Sequence, residues 1–138
     1  MSHNLTIVDA DGAVATAFVA PGHPPDITTS PVATNHHGTV PEYPDVARAL
    51  HSVERRDALL RLVAGRPDPA AFAAAFLTDP LYNDGYSRAF GTLYTALYHP
   101  VAGYVDYRWP GHTWRRTFDS PSGSTAVTLR EGERQRIR

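Results

Sequence analysis

The sequence predicts an α+β fold, with strands first, then helices, then strands again, rather than the strand-helix-strand alternation of a parallel sheet. Three observations predict it. Near the start, Leu5, Ile7 and Val8 lead through Asp9-Ala10-Asp11-Gly12 to Val14, Thr16, Phe18 and Val19, two short β-rich runs about a turn. In the middle, Val46, Ala49, Leu50, Val53, Leu60 and Val63 recur at the helical period. Toward the end, the aromatic-rich runs 90–98 and 104–109 flank a turn at 100–103.

Taken in order, residues 20–31 follow the hairpin as APGHPPDITTSP, too polar and proline-rich to bury, which predicts a surface loop. Val32-Ala33-Thr34 reads as a short strand delivering Asn35. Pro44 suits the first turn of a helix and Gly65 its C-terminal cap, so one helix is expected over 44–65 with Arg48, Glu54, Asp57 and Arg61 mainly on the wet side. Asp68-Pro69 repeats the start signal for a second helix over 70–77, whose Phe72 and Phe76 form an apolar stripe. Residues 78–89 are turn-rich. Pro110-Gly111 ends the strand at 104–109, and 113–118 adds one more strand. The Ser/Gly-bearing, charged tail reads as loose, with 125–129 as an edge strand at most.

The 138 residues, 42% of them hydrophobic, suffice for one ordinary core. Thirteen Lys and Arg against 14 Asp and Glu give a formal charge of -1, which leaves no electrostatic footprint for nucleic acid or an anionic membrane. No apolar run approaches the roughly 20 residues of a membrane helix, and MSHNLTIVDADG lacks a signal-peptide layout, so a cytoplasmic location is expected. Cysteine is absent. That excludes disulfides, thiolate metal sites and a cysteine nucleophile carried by this sequence.

Seven histidines invite a metal hypothesis, yet the adjacent His36 and His37 point to opposite faces of an extended backbone and no HxxxH or HExxH pair exists. No metal and no cofactor are expected. SPSGS in the tail lacks the strand-turn-helix frame of a serine nucleophile elbow. Asn35 is a stronger candidate, because an amide at a strand end aims fixed donors into a cleft and suits an oxyanion, although Asn before His-His-Gly is also a common turn residue. Arg55 reads from pattern alone as a solvated helix arginine or an ion-pair partner of Glu54 or Asp57.

ATNHHG, HSVERRDALLRLV and FLTDPLYNDGYSRAFGTLYTALYHPVAGYVDYRWPG, in that order, closely resemble the C-terminal half of the acyl-coenzyme A:6-aminopenicillanic acid acyltransferase-like family. That family is related to the choloylglycine hydrolases and penicillin acylases, all N-terminal-nucleophile hydrolases. The resemblance runs from about Asn4 to about Phe118 and is most specific in ATNHH, in Ser52-x-x-Arg55, and in GTLYTALY with YRWPG. It implies an N-terminal cysteine, exposed by self-cleavage, that attacks a linear amide or thioester with its own α-amine as base. It also implies that Asn35 helps hold the tetrahedral oxyanion and that Arg55 supports the site.

The cysteine, with the aspartate and arginine that follow it in the family, belongs to an N-terminal half that these residues do not include, so the chain alone is expected to be inactive. The expected fold is a partial αββα sandwich, antiparallel strands with two helices on one face. Residues 1–118 would be the C-terminal portion of such a domain and 119–138 a loose tail. Its expected partners are a small acyl-amide or acyl-thioester substrate and either a cysteine-bearing half or a second copy. The alternative function is a non-catalytic remnant that binds a small acyl ligand or regulates a relative.

Overall fold

The computed structural model describes residues 3–36, 43–120 and 122–132, so His37 and the last six residues of the tail lie outside the description. Among the described residues the chain is α+β, with two antiparallel three-stranded sheets and three helices. It divides into two compact units, Met1–Arg66 and Pro67–Arg138.

In the first unit, β1 (His3–Val8) and β2 (Val14–Val19) form the expected hairpin. The Asp9 carboxylate builds the turn by accepting from the backbone N–H of Asp11 and Ala13, and Gly12 takes the positive φ of 84° that closes it. β3 (Asp26–Thr28) pairs with β2 inside the segment expected to be loop. The surface-loop expectation is corrected there, because Asp26-Ile27-Thr28 is a proline-free stretch between Pro25 and Pro31 and can offer its backbone to β2. Alternation then separates two faces. Thr6, Thr16 and Thr28 share one, with Thr16 fully buried and its hydroxyl donating to Ser30 O at 2.7 Å. Leu5, Ile7 and Ile27 occupy the other and are exposed.

The single helix expected over 44–65 is two. α1 (Pro44–Ala49) and α2 (Ser52–Ala64) are separated at Leu50-His51, where His51 takes the left-handed conformation with φ of 51°. This break shifts the helical phase. Ala47, Ser52 and Leu59 are therefore the buried positions, while Val46, Val53 and Leu60, expected on the apolar face, are exposed.

In the second unit, α3 (Pro69–Ala75) starts as expected: the Asp68 side chain caps Ala70 N and Ala71 N, both at 2.9 Å, with proline in the first turn. Phe72 and Phe76 pack in a tilted arrangement with ring centroids 5.3 Å apart. A 3-10 turn (Tyr86–Arg88) precedes β4 (Thr95–His99), β5 (Tyr104–Trp109) and β6 (His112–Thr117), which form the second sheet in the order β4-β5-β6. β4 is shorter than expected, because the Thr92 and Leu93 carbonyls accept from Tyr86 Oη and Trp109 Nε1 instead of pairing in a ladder. Residues 122–130 form no strand, which corrects the possible edge strand at 125–129. Glu131 and Gly132 nevertheless bond to Ser87 and Asp84. Among the described residues no helix is long and apolar enough to cross a membrane.

Candidate active site

The segment leading to Asn35 is not a strand, although its sequence suggested one. Its backbone is satisfied by side chains. Ser30 Oγ donates to Val32 O at 2.9 Å, and Asn4 Nδ2 donates to the Thr34 carbonyl. Both Val32 and Thr34 are buried. Asn4 belongs to β1, and Thr16 of β2 donates to the Ser30 carbonyl, so the first sheet fixes the course of the chain toward Thr34, Asn35 and His36.

α2 grips the same three residues from the other side. Ser52 and Arg55 stand one turn apart at i and i+3, on one face of the helix. The Ser52 hydroxyl donates to Thr34 Oγ1 at 3.2 Å and lies 2.6 Å from His36 Nδ1, while Thr34 Oγ1 lies 3.3 Å from the same nitrogen. With the Ser52 proton directed to Thr34, the short contact needs Nδ1–H of His36 as donor. The neutral tautomer that results carries its lone pair on Nε2, which is buried without a partner among the described residues. Burial, and next the charge of Arg56, hold the imidazole pKa below its usual 6.5 against an opposing pull from Asp57.

Between these buried residues Asn35 is exposed, and its Oδ1 accepts from Arg55 Nη1 at 2.9 Å. The guanidinium is a donor only, so this contact fixes which end of the amide is oxygen. Nδ2 makes no hydrogen bond among the described residues and keeps both N–H groups available. The half-buried guanidinium polarises the amide toward a stronger N–H donor. Burial lowers the Arg55 pKa from its ordinary value, and Arg55 Nε has no partner of its own among the described residues.

Asn35 and His36 line a cleft of about 540 Å3, whose walls include Phe18, Val19, Pro24 and Val46. Its lining is mixed, since Asn4 and His23 also border it. The Ser52–His36 spacing is that of a nucleophile and its base, but Ser52 is 0% exposed and meets no substrate. Its role is to position. Among the described residues no three His, Asp or Glu side chains converge as a metal site.

Asn35 and Arg55, singled out in the sequence 20 residues apart, thus have their side chains in direct contact. Thr34 and His36 carry no sequence pattern that marks them for a role here. Ser52 sits in the quoted Ser-x-x-Arg spacing, and that helical i, i+3 relation to Arg55 was the signal available for it. Compared with family models, curated proteins and solved structures, the chain matches none.

Proposed function

We propose that this chain is the C-terminal portion, or a subunit, of an N-terminal-nucleophile amide C–N hydrolase or acyltransferase working in the cytoplasm, with its cysteine supplied by another half. The observation that carries the reading is the Arg55 Nη1 to Asn35 Oδ1 hydrogen bond of 2.9 Å. An oxyanion donor must be held before charge develops, and an amide whose oxygen is engaged by a fixed cation presents its N–H groups without reorganising. The neighbouring cleft suits a small acyl-amide or acyl thioester, with the acyl chain on the walls formed by Phe18, Val19 and Val46.

The exposed, apolar sheet face of Leu5, Ile7 and Ile27 supports an incomplete αββα sandwich, because the inner face of such a sheet packs against a second one. In this reading the covering layer belongs to the cysteine-bearing half, and self-association takes its place when that half is missing. Ser52 does not replace the cysteine, since it is buried.

The test compares the purified chain with a complex co-expressed with a cysteine-bearing half of the resembled family. Turnover of a panel of acyl-amides and the mass of the cysteine-bearing chain are followed. The chain alone is expected to be inactive, and the complex to accumulate an acyl adduct on the cysteine. Turnover by the chain alone would overturn the reading by placing the nucleophile in this chain, and a complex that never acylates would overturn it in favour of a ligand-binding or regulatory module.

A further inference from the structure

A second hollow, of about 630 Å3, opens in the Pro67–Arg138 unit and shares no residue with the cleft that Asn35 lines. One of its walls is a face of the second sheet. Strand alternation and the pairings Leu97 with Asp106, Asp106 with Arg115, and Arg108 with Thr113 put these side chains on that face. The other wall comes from α3 and the residues before it, including Pro69 and Phe72.

The charges on this face do not all find partners. Arg115 holds the buried Asp106 carboxylate through two parallel hydrogen bonds, Nε at 2.7 Å and Nη2 at 2.8 Å, and its guanidinium lies 3.8 Å over the Tyr104 ring. That pair is geometrically complete: a bidentate fork on one carboxylate and a ring face beneath it. The side chain of Arg108, two residues along β5, makes no hydrogen bond or ion pair among the described residues. The Arg115 hydrogen bonds are the main cause that lowers the Asp106 pKa, with the charge of Arg108 a lesser one, and the Arg108 donors remain uncommitted. Among the described residues lining the hollow, the Arg108 guanidinium is therefore left over after Arg115 and Asp106 have neutralised each other, with Leu97 beside it on the sheet face and Pro69 and Phe72 on the facing wall.

We propose that this hollow binds a small aliphatic carboxylic acid, its carboxylate on the Arg108 guanidinium and the Thr113 hydroxyl across the strand pair, its hydrocarbon chain on Pro69, Phe72 and Leu97. A monoanion matches the uncommitted Arg108 guanidinium, and the apolar side chains add affinity that a bare anion does not collect. The proposal stands on this unit alone and does not rest on the acyl-transfer reading.

The experiment is a calorimetric titration of the full chain with hexanoate, hexanamide and acetate at low ionic strength. Hexanoate is expected to bind saturably, with hexanamide weaker by about tenfold or more, since the amide loses the charge-assisted contact. Acetate, lacking the chain, is expected to bind more weakly than hexanoate. Arg108→Gln should weaken hexanoate by about tenfold while leaving hexanamide unchanged, and Arg108→Lys should recover part of the loss. Equal affinity for hexanoate and hexanamide, no saturable hexanoate binding, or an Arg108→Gln variant that binds hexanoate normally would each overturn the proposal. The hexanoate and hexanamide comparison is made on the unaltered chain, so a variant that folds poorly does not shelter it.

Discussion

Ser52 Oγ lies 2.6 Å from His36 Nδ1, and both side chains are buried. A hydroxyl on the first turn of α2 therefore holds an imidazole that follows Asn35 directly in the chain, and the exposed amide rests on a polar contact made in the interior. Buried polar groups of this kind are stabilising only while each keeps its partner.

Ser52→Ala removes the closest partner of His36 Nδ1 and the donor to Thr34 Oγ1 together. The expected loss is about 1–3 kcal/mol, the usual cost of leaving buried polar groups unsatisfied. Urea unfolding should show it as a lower midpoint at unchanged slope. A shift indistinguishable from zero would mean that the 2.6 Å contact contributes nothing to holding Asn35.

The parts of the fold legible in the sequence were those written in local chemistry. The Asp9–Gly12 turn and the Asp68-Pro69 helix start each depend on one side chain meeting its own neighbouring backbone, and both formed as expected. Val32-Ala33-Thr34 was misread as a strand because its backbone is satisfied by Asn4 and Ser30, and β-propensity does not see such a substitution. The break at His51 carries neither glycine nor proline, so the helical period was run straight through it and the buried face was assigned to the wrong residues. For the candidate site, Asn35 and Arg55 were legible as motif positions. Their contact across 20 residues was not, because it depends on where the hairpin and α2 place the chain.

Stability should fall with pH through the range in which His36 titrates in the unfolded chain. Burial and Arg56 depress the folded-state pKa, so as pH drops below 6.5 the unfolded chain takes up this proton first. The contribution is complete above the unfolded value and is lost as pH falls toward the folded one. Urea midpoints measured between about pH 7 and pH 5 should therefore decline more steeply for the unaltered chain than for His36→Gln. Parallel slopes would assign the pH dependence to other groups.

Gly91 packs against the Tyr86 ring so closely that an added Cβ would lie 1.9 Å from Cδ1. The ring has little freedom to retreat, since Tyr86 Oη is 2.9 Å from Tyr82 Oη and donates to Thr92 O at 2.8 Å. Gly91→Ala is expected to cost about 1–3 kcal/mol, as overpacking does. In a Tyr86→Ala background the same substitution should cost much less, and the double-mutant cycle measures the difference. Equal costs in both backgrounds would show that the clash is not with this ring.

The sharpest test of the acyl-transfer reading separates the amide donor of Asn35 from the hydrogen bond that holds it. In an active complex with a cysteine-bearing half, Asn35→Ala should lower kcat by about 100-fold or more with little change in KM, since the lost donor acts mainly on transition-state charge. Asn35→Asp keeps an acceptor for Arg55 at 2.9 Å and so preserves the local tie, but it offers no N–H and sets a negative charge beside the oxyanion. Its kcat should fall at least as far while the complex remains as stable as before. Arg55→Ala leaves the donor in place and frees the amide to turn, so its kcat loss should be smaller and accompanied by weaker folding, with Arg55→Lys only partly restoring either. A near-normal kcat in a well-folded Asn35→Asp complex would remove Asn35 from the chemistry, and its contact with Arg55 would then be a tie between a turn and a helix.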